Sequence, residues 1–440
     1  MASPQKFRIT IVGGGIGGLT LAVAFSHMKL DESIQVDIYE SAAKLTQTGA
    51  GINLWLRAWE ILKSMGLEAD LVARFPPGQD RSGTNKPKLA FAIRKSDQQE
   101  GVPILDLLIP GGSKSFHRAD VQEVLLNHIS SNIQCRLNHR LTTYRQSKDG
   151  VEMEFKNGET ATCDILIGAD GINSAVRKAF LADGKNLSEE EVAANAQPLW
   201  TGMVVYRDLV DSELIRKDAP NHRGLTTPVV YCGKNKHIVT YPILQGKLLN
   251  VVPFLTNPEK EGTYLDGPAV IENSTDSFAH HFADWEEEAQ AMIKHMAKPS
   301  RWAIQTVKPL NTYVSGRVFL MGDAAHAMAP HLGNGAGQAI EDAYILSNII
   351  VKTARQGHID VQKVGKIYDA IRQPFGNFAV TASRNAGLLY ELNAPGFEDI
   401  KDGEAVSADK LAEIGKFIEK GWEWTYQSAN DDLQRALSML

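Results

Sequence analysis

A glycine-rich segment near the start of the chain has the residue types and spacing to hold a pyrophosphate. Gly13, Gly15 and Gly18 form a G-x-G-x-x-G pattern between an apolar strand pattern and a helical one. The glycines let the backbone turn and approach phosphates, and the helix N-terminus offers free N–H groups to them. Glu40 ends the next strand pattern and could accept hydrogen bonds from both hydroxyls of an adenosine ribose. We therefore expect a bound dinucleotide, with a glycine-rich turn beside a solvated Glu40 as the alternative.

Two further segments place glycine and aspartate directly after short apolar strand patterns. Residues 164–171 read DILIGADG, and residues 317–326 read RVFLMGDAAH before a glycine-rich loop that ends at Gly337. In this order and spacing, the three segments resemble the group A flavoprotein aromatic hydroxylases, the family of para-hydroxybenzoate hydroxylase and salicylate hydroxylase. The resemblance covers most of the chain. It implies a Rossmann-type domain that binds FAD.

The resemblance also implies which residues contact the flavin end of FAD. Asp323 would hydrogen-bond the ribityl chain, for which a carboxylate at the end of a strand is suited. The loop with Pro330, Gly333, Gly335 and Ala336 would approach the isoalloxazine ring. Glycines permit such an approach because they carry no Cβ. Backbone N–H groups at the start of the following helix would favour negative charge on the reduced flavin.

Four other positions match the family, but fewer features of the surrounding sequence support their roles. Arg118 would reach the FAD phosphates, unless it is an exposed arginine at a helix start. Asp170 would link the pyrophosphate region to a pyridine nucleotide, unless it only forms the turn before the next glycine. Gly49 and Gly51 resemble the loop beside the flavin ring. The chain then departs from the common Pro-Asn pair, so no detailed flavin contacts are transferred there.

The resemblance implies a monooxygenase that consumes NADH or NADPH and O2 and hydroxylates a phenol through a C4a-hydroperoxyflavin. FAD would be noncovalent, and the nicotinamide would bind transiently because only one G-x-G-x-x-G occurs. We expect a hydroxybenzoate 1-hydroxylase that releases CO2. Hydroxylation or dearomatisation of another phenol without decarboxylation is an alternative. A flavin-binding redox regulator without hydroxylase activity is the alternative from another class.

Candidate substrate residues lie in a region of alternating strand patterns. Period-two alternation puts His237 and Tyr241 on one face of their strand, where both could meet a phenol. His237 could take the phenol proton near neutral pH, and Tyr241 could donate a hydrogen bond. Arg207 matches a substrate-facing arginine of phenol-dearomatising relatives and could pair with a carboxylate or phenolate. As alternatives, His237 and Tyr241 could be ordinary half-buried strand residues, and Arg207 could form a surface salt bridge.

These positions require an α/β fold: a Rossmann-type FAD-binding domain with an interleaved antiparallel-sheet substrate domain and a C-terminal helical segment. Helical patterns run to Asn393 with a break at Pro374, and one further helical segment covers Ala408 to Leu437. The region from Pro76 to Pro110 favours irregular or edge-strand structure. We predict FAD-binding parts at 1–78, 111–182 and 305–392, substrate-domain parts at 79–110 and 183–304, and the helical segment at 393–440.

Composition excludes several other classes of function. The net charge is −6 and 43% of residues are hydrophobic, which indicates a globular chain without nucleic acid as its main partner. Three cysteines far apart in sequence favour neither a disulfide framework nor a metal site. No stretch reaches 18 apolar residues, and the N-terminus leaves no room for a signal peptide, so we expect a cytoplasmic protein. The sequence leaves open whether the protein forms a homo-oligomer.

Overall fold

Six short strands from separate parts of the chain form a mostly parallel sheet. The computed structural model describes residues 6–30, 33–45, 51–75, 79, 85–183 and 188–440. The run ILIG is fully buried and the last four residues of FRITIV are buried, as expected for parallel strands covered on both faces. Among the described strands of this sheet, only Val314–Ser315 and Val318–Leu320 form an antiparallel pair. In spatial order the strands are Val314–Ser315, Val318–Leu320, Ile165–Gly168, Phe7–Val12, Ile34–Tyr39 and Gln134–Arg136.

The register of this parallel sheet brings the three glycine-containing segments together. Val12 pairs with Tyr39 on one side and with Gly168 on the other, and Gly168 pairs with Leu320. The strands therefore end at one edge, where open α/β sheets bind their ligands. The residues that follow each strand, including Gly13, Glu40 and Ala169, meet at that edge.

An antiparallel sheet of eight strands, the large sheet, carries most of the region from 199 to 306. Its spatial order is Val270–Glu272, Ser300–Thr306, Leu199–Asp211, Leu248–Thr263, Lys236–Ile243, Val229–Gly233, Pro87–Lys95 and Val102–Pro110. Val229–Gly233 and Pro87–Lys95 form its one parallel pair. The antiparallel strands expected between residues 183 and 304 are present.

The region before residue 110 corrects one expectation. Pro87–Lys95 is an interior strand of the large sheet, whereas irregular or edge structure was expected. Its proline is the first residue of the strand, where a missing N–H does not interrupt the ladder. Val102–Pro110 does lie at the edge. Residues 76–78 and 80–84 of the same stretch lie outside the described residues, and the predicted domain boundaries stay a prediction.

Two small sheets and the helices complete the described part of the chain. Gly51–Leu54 pairs with Lys114–His117, and the expected hairpin pairs Leu141–Gln146 with Val151–Phe155, to which Thr160–Cys163 adds. The α-helices are Ile16–His27, Leu56–Ser64, Glu68–Ala73, Arg118–Asn127, Ala175–Ala182, Glu189–Ala196, Ser212–Asp218, Glu287–Lys294, Asp323–His326, Gly335–Ala354, Val361–Tyr390, Ala408–Trp422 and Asn430–Ser438. Short 3₁₀ turns cover Arg223–Leu225, Thr275–Ser277, Ala279–Phe282 and Glu423–Tyr426. No described helix has the length and apolar character needed to cross a membrane.

Pro374 does not break its helix, contrary to the expectation. Val361–Tyr390 continues through it for 30 residues. A proline in a helix interior costs about 3 kcal/mol, so contacts on both sides must outweigh that cost. Before the proline, the backbone N–H of Tyr313 donates to Asp369 at 2.6 Å, and after it the Tyr313 hydroxyl donates to Asn377 at 2.9 Å.

The C-terminal segment is helical, as expected, and contains two α-helices. It divides into Ala408–Trp422, a 3₁₀ turn and Asn430–Ser438. Local propensity did not reveal the division because the turn is held by distant partners. The Arg57 guanidinium donates to the carbonyl of Ser428 at 3.1 Å and pairs with Asp432. The segment thereby packs against the body of the protein.

Candidate active site

A cavity of about 820 Å³ extends from the edge of the parallel sheet to one face of the large sheet. This size lies within the range of about 300–1,000 Å³ of small-molecule and cofactor sites. Gly18 and Arg207 are the two sequence-predicted site residues that do not line it. The others that line it are Gly13, Gly15, Glu40, Gly51, Arg118, Asp170, His237, Tyr241, Asp323, Pro330, Gly333, Gly335 and Ala336.

The first glycine segment is built for close packing on one side and for a ligand on the other. A Cβ at Gly13 would lie 2.2 Å from the Ala169 carbonyl oxygen, and one at Gly18 would lie 2.1 Å from that of Gly13. At Gly15 nothing lies within 4 Å of the added atom. Gly15 is the N-cap of Ile16–His27, and no side chain caps this helix. Its first N–H groups are therefore free to bind an anion.

Glu40 is fixed beside this turn by backbone donors. One carboxylate oxygen accepts from the N–H of Gly14 at 2.7 Å, and the other accepts from Ala42 at 2.7 Å and from Ser41 at 3.1 Å. A carboxylate offers about four acceptor sites. The geometry therefore leaves acceptor capacity on Glu40 for a ribose hydroxyl in the cavity.

Arg118 supplies a cation to the same end of the cavity. It begins the helix Arg118–Asn127 directly after the strand that pairs His117 with Gly51. Its Nε is buried and has no hydrogen-bond partner in the described residues. A guanidinium with an unpaired N–H in a cavity wall suits a phosphate oxygen. Gly49, the other glycine of the predicted flavin loop, lies outside the described residues.

Asp170 caps a helix. It accepts hydrogen bonds from the backbone N–H of Ala175 at 2.8 Å and of Val176 at 3.1 Å, and from the Ser174 hydroxyl. Burial raises the pKa of Asp170, although these hydrogen bonds oppose the increase. The contacts explain why an aspartate stands at the start of Ala175–Ala182. Its link to a pyridine nucleotide stays a prediction.

A buried ion network holds Asp323 at the cavity. Gly322, with φ +58°, turns the chain into Asp323–His326. Asp342 accepts from the Gly322 N–H at 2.8 Å and pairs with His326 at 2.7 Å and with Arg372 at 2.6 Å. Burial alone would raise the pKa of Asp342, but His326, Arg372 and the Gly322 N–H outweigh burial and hold this pKa at about 2. Sequence reasoning missed this network because its members are separated by up to 50 residues.

The glycine-rich loop that follows is held in place by a hydrogen bond from the Trp55 side chain. Gly333 has φ +56°, and the helix Gly335–Ala354 begins with no side-chain cap on its N-terminus. The Trp55 indole donates to the Leu332 carbonyl at 2.7 Å. These contacts leave the first N–H groups of a 20-residue helix free at the cavity.

The large sheet supplies the opposite wall, as period-two alternation predicts. His237, Val239 and Tyr241 all line the cavity from one face of Lys236–Ile243. Arg207 lies on the neighbouring part of the sheet, and its Nε donates to the side chain of Asn250 at 3.1 Å. Burial raises the pKa of Tyr241, while the positive charge of Arg207 opposes that change.

The same wall contains buried groups that the sequence did not single out. The His237 Nδ1 lies 3.0 Å from a carboxylate oxygen of Glu391, and the Thr256 hydroxyl donates to that oxygen at 2.9 Å. Burial lowers the pKa of His237 to about 3, which corrects the ordinary near-neutral value assumed from the sequence. Burial raises the pKa of Glu391 to about 7. His331 also lines the cavity, with its Nδ1 3.0 Å from the Ser383 carbonyl.

Tyr390 and Trp422 close this end of the cavity. Both line it, and the Trp422 indole donates to the Tyr390 hydroxyl at 2.9 Å. Trp422 belongs to the C-terminal segment, in which it ends the helix Ala408–Trp422. Its side chain is buried in the cavity wall. Its distance along the chain from every motif hid its place in the site.

The residues present fit FAD. Open space at Gly15, the unpaired Nε of Arg118 and the exposed carboxylate of Asp323 are arranged along one cavity. Within the described part of the chain, no cluster of three or more histidine, cysteine, aspartate or glutamate side chains could hold a metal ion.

Comparisons with known proteins agree with this geometry. Residues 6–383 match the FAD binding domain family model. Salicylate hydroxylase of Pseudomonas putida is 34% identical over 88% of this chain and 87% of its own. The 6-methylsalicylate 1-monooxygenase of Aspergillus terreus is 32% identical over 89% and 85%. A solved salicylate hydroxylase substrate complex has TM-score 0.83 and 28% identity, and the match covers 99% of this chain and 98% of that one. The chain belongs to the FAD binding domain family and is an FAD-dependent aromatic monooxygenase of the salicylate hydroxylase type.

Proposed function

We propose that the protein is a hydroxybenzoate 1-hydroxylase that replaces the carboxylate of its substrate with a hydroxyl group. One hydroxybenzoate, one NADH or NADPH, one O2 and two protons would give a dihydroxybenzene, NAD(P)⁺, water and CO2. The observation that carries the proposal is the cavity wall opposite Asp323, which combines apolar side chains with the polar groups of His237 and Tyr241. Such a wall suits a small ring with one or two oxygen substituents.

The chain's own residues would hold FAD along the other side of the cavity. The helix N-terminus at Gly15 and the guanidinium of Arg118 would bind the phosphates, and Glu40 would bind a ribose. Asp323 would accept hydrogen bonds from the ribityl chain. The residues that would surround the flavin ring are Gly51, Pro330, Gly333, Gly335 and Ala336, all of which line the cavity. FAD bound there supplies electron transfer from the nicotinamide and the activation of O2.

The substrate would bind between this loop and the large sheet. Tyr241 would donate its hydroxyl hydrogen to the carboxylate or phenol oxygen, because burial keeps the tyrosine protonated. Burial alone lowers the pKa of His237, but ionised Glu391, 3.0 Å away, would favour the protonated ring, so that His237 would take the phenol proton and increase electron density on the substrate ring. Val239 and Phe254 would exclude water from the reacting carbon. Arg207 would act through Tyr241, since it does not line the cavity.

The two relatives named for salicylate and 6-methylsalicylate support loss of CO2. A phenol hydroxylated without decarboxylation is the second candidate, and the same experiment separates the two. We would add salicylate, its 3- and 4-hydroxy isomers, and phenols without a carboxylate to the FAD-loaded protein. NAD(P)H consumption, CO2 and product mass are then measured. Salicylate should stimulate NAD(P)H consumption and release one CO2 per product.

Two results would overturn the proposal. Product formed without CO2 would favour the second candidate. If no phenol stimulated NAD(P)H consumption, the proposal that the substrate is a hydroxybenzoate or another phenol would be wrong.

A further inference from the structure

The cavity contains a buried carboxylate–imidazole pair. The carboxylate of Glu391 and the Nδ1 of His237 lie 3.0 Å apart, and both side chains are nearly fully buried, with 2% and 0% exposed. The Thr256 hydroxyl donates to the same carboxylate oxygen. His237 also stacks on Phe254, with ring centroids 4.0 Å apart. These contacts fix the plane and the position of the imidazole ring.

The chemistry of the pair determines which ring nitrogen can accept a proton. A neutral imidazole has one donor and one acceptor nitrogen, whereas an ionised carboxylate only accepts. Ionised Glu391 therefore places the hydrogen on Nδ1 and leaves a lone pair on Nε2. This Nε2 is buried and has no hydrogen-bond partner among the described residues. A buried polar atom without a hydrogen-bond partner destabilises the protein by about 1–3 kcal/mol. A ligand in the adjoining cavity that donates a hydrogen bond to Nε2 would remove this cost.

We propose that Glu391 is a positioning residue that fixes the tautomer of His237, so that the Nε2 lone pair accepts the phenol proton of the substrate. The inference rests on the proposed function for the identity of that phenol. The proton moves from the phenol oxygen to Nε2, and the Nδ1–H bond to Glu391 is retained. Because the carboxylate is adjacent, it compensates the positive charge that forms on the ring.

Glu391 lies in a part of the chain that the family match does not include. The match ends at residue 383, and Glu391 directly follows the helix Val361–Tyr390. Its backbone is held on both sides: its N–H donates to Gly387 at 3.0 Å, and its carbonyl accepts from Asn235 at 3.2 Å. The end of this long helix is thereby fixed to the large sheet beside His237.

The surrounding groups predict a pH dependence. The ring of His331 is 5.4 Å and that of Tyr390 is 5.7 Å from the ring of His237, and Cys232 pairs with His237 across the sheet. Tyr241 follows on the same face of the strand, with Arg207 near its hydroxyl. Burial raises the pKa of Glu391 to about 7, so the carboxylate ionises as the pH rises through that value. The acceptor form of His237 should appear over the same range.

The test uses the FAD-loaded protein and a nitrosalicylate, whose phenolate absorbs visible light. Difference spectra at a series of pH values report the ionised fraction of the bound ligand. In the parent protein this fraction should rise with pH as Glu391 ionises. Glu391→Gln should reduce ionisation about 10- to 100-fold, because a charge-assisted hydrogen bond is lost. Glu391→Asp, which keeps the charge, should restore part of the ionisation.

A matched control is Glu286→Gln. Glu286 forms a buried ion pair with Arg94 at 2.7 Å and does not line the cavity. This variant should lose thermal stability yet keep the parent ionisation curve. If Glu391→Gln binds the ligand and keeps the parent curve, the positioning role is wrong while the proposed function stands.

A second measurement is independent of the substrate. ¹⁵N NMR of histidine-labelled protein without ligand, with the His237 signals assigned from His237→Asn, reports the tautomer directly. Above pH about 7 the parent should carry its hydrogen on Nδ1, and Glu391→Gln should lose this preference. If no hydroxybenzoate binds the parent, the proposed function fails, and this spectrum alone decides the tautomer inference. The same tautomer in both proteins would overturn it.

Discussion

At the scale of single residues, several side chains of the cavity wall carry a buried polar atom without a partner in the described residues. Arg118 Nε, His237 Nε2 and His331 Nε2 are buried without hydrogen-bond partners in the described residues, and all three side chains line one cavity. Most buried polar atoms in folded proteins have partners, so those that lack them need an explanation. A phosphate at Arg118 and a phenol at the histidines would provide those partners.

Asp323 offers a direct test of the cofactor side of the cavity. Asp323→Ala should weaken FAD binding about 10- to 100-fold, because a charged hydrogen-bond acceptor for the ribityl hydroxyls is lost. Flavin fluorescence during titration of apoprotein with FAD measures this change. Asp284→Ala, an exposed carboxylate outside the cavity lining, should bind FAD like the parent. Unchanged affinity in Asp323→Ala would remove this residue from the cofactor site.

Tyr241 offers the corresponding test on the substrate side. Tyr241→Phe removes one hydroxyl donor, so the KM for the hydroxybenzoate should rise about 2- to 10-fold. A less firmly held phenol should also increase the share of NAD(P)H consumed that yields H2O2 instead of product. Tyr264→Phe, at an exposed tyrosine, is the control. A parent KM together with parent coupling would show that Tyr241 does not contact the substrate.

At the scale of elements, the buried network of Asp342, His326 and Arg372 joins the turn at Gly322 to two long helices. Asp342→Asn should lower the free energy of unfolding by about 3–5 kcal/mol, because it breaks a buried ion pair. Chemical denaturation measures this loss, and the exposed Glu60→Gln provides a control. A loss below about 1 kcal/mol would show that the network does not stabilise the turn.

The same residue predicts a pH effect with a definite sign. The pKa of Asp342 is lowered to about 2 from the ordinary value of 3.8. Its contribution to stability is therefore complete above the ordinary value and is lost as the pH falls through about 2. The parent should lose stability over this acid range, and Asp342→Asn should lose less. Parallel acid-unfolding curves for the two proteins would contradict this assignment.

Elements also show what could be predicted from the sequence. The strand–turn–helix at Gly13 was predictable because the motif, its flanking strand and Glu40 are encoded within about 30 residues. The alternation of His237 and Tyr241 is equally local. Pro374 was misinterpreted because its cost is offset by Tyr313, which is distant in sequence. Glu391 carries no motif, and its distance of 154 residues from His237 leaves no sequence signal of their contact.

At the scale of the whole molecule, the cavity is closed by contributions from both ends of the chain. The parallel sheet supplies Gly13 and Asp323, the large sheet supplies His237, and the C-terminal segment supplies Trp422. A site assembled from separate parts of a fold can exclude water only when each part is in place. The C-terminal segment is therefore expected to affect catalysis as well as stability.

Trp422→Ala tests this expectation. Loss of a buried tryptophan should cost about 3–5 kcal/mol of stability and open the cavity wall, which raises the KM and the yield of H2O2. Phe417→Ala is a control on the same helix, because that side chain is 50% exposed. Thermal unfolding, KM and H2O2 yield should be measured for both. Normal coupling in a folded Trp422→Ala protein would show that the C-terminal segment does not seal the site.

The central claim is that this FAD-dependent monooxygenase hydroxylates a hydroxybenzoate at the carbon that carries the carboxylate. The most direct measurement uses salicylate with ¹³C in its carboxylate, FAD-loaded protein, NADH or NADPH, and O2. Our account predicts salicylate-stimulated NAD(P)H consumption with one ¹³CO2 and one catechol for each coupled turnover. A hydroxylated product that retains the ¹³C label, or no stimulation by any hydroxybenzoate, would contradict it.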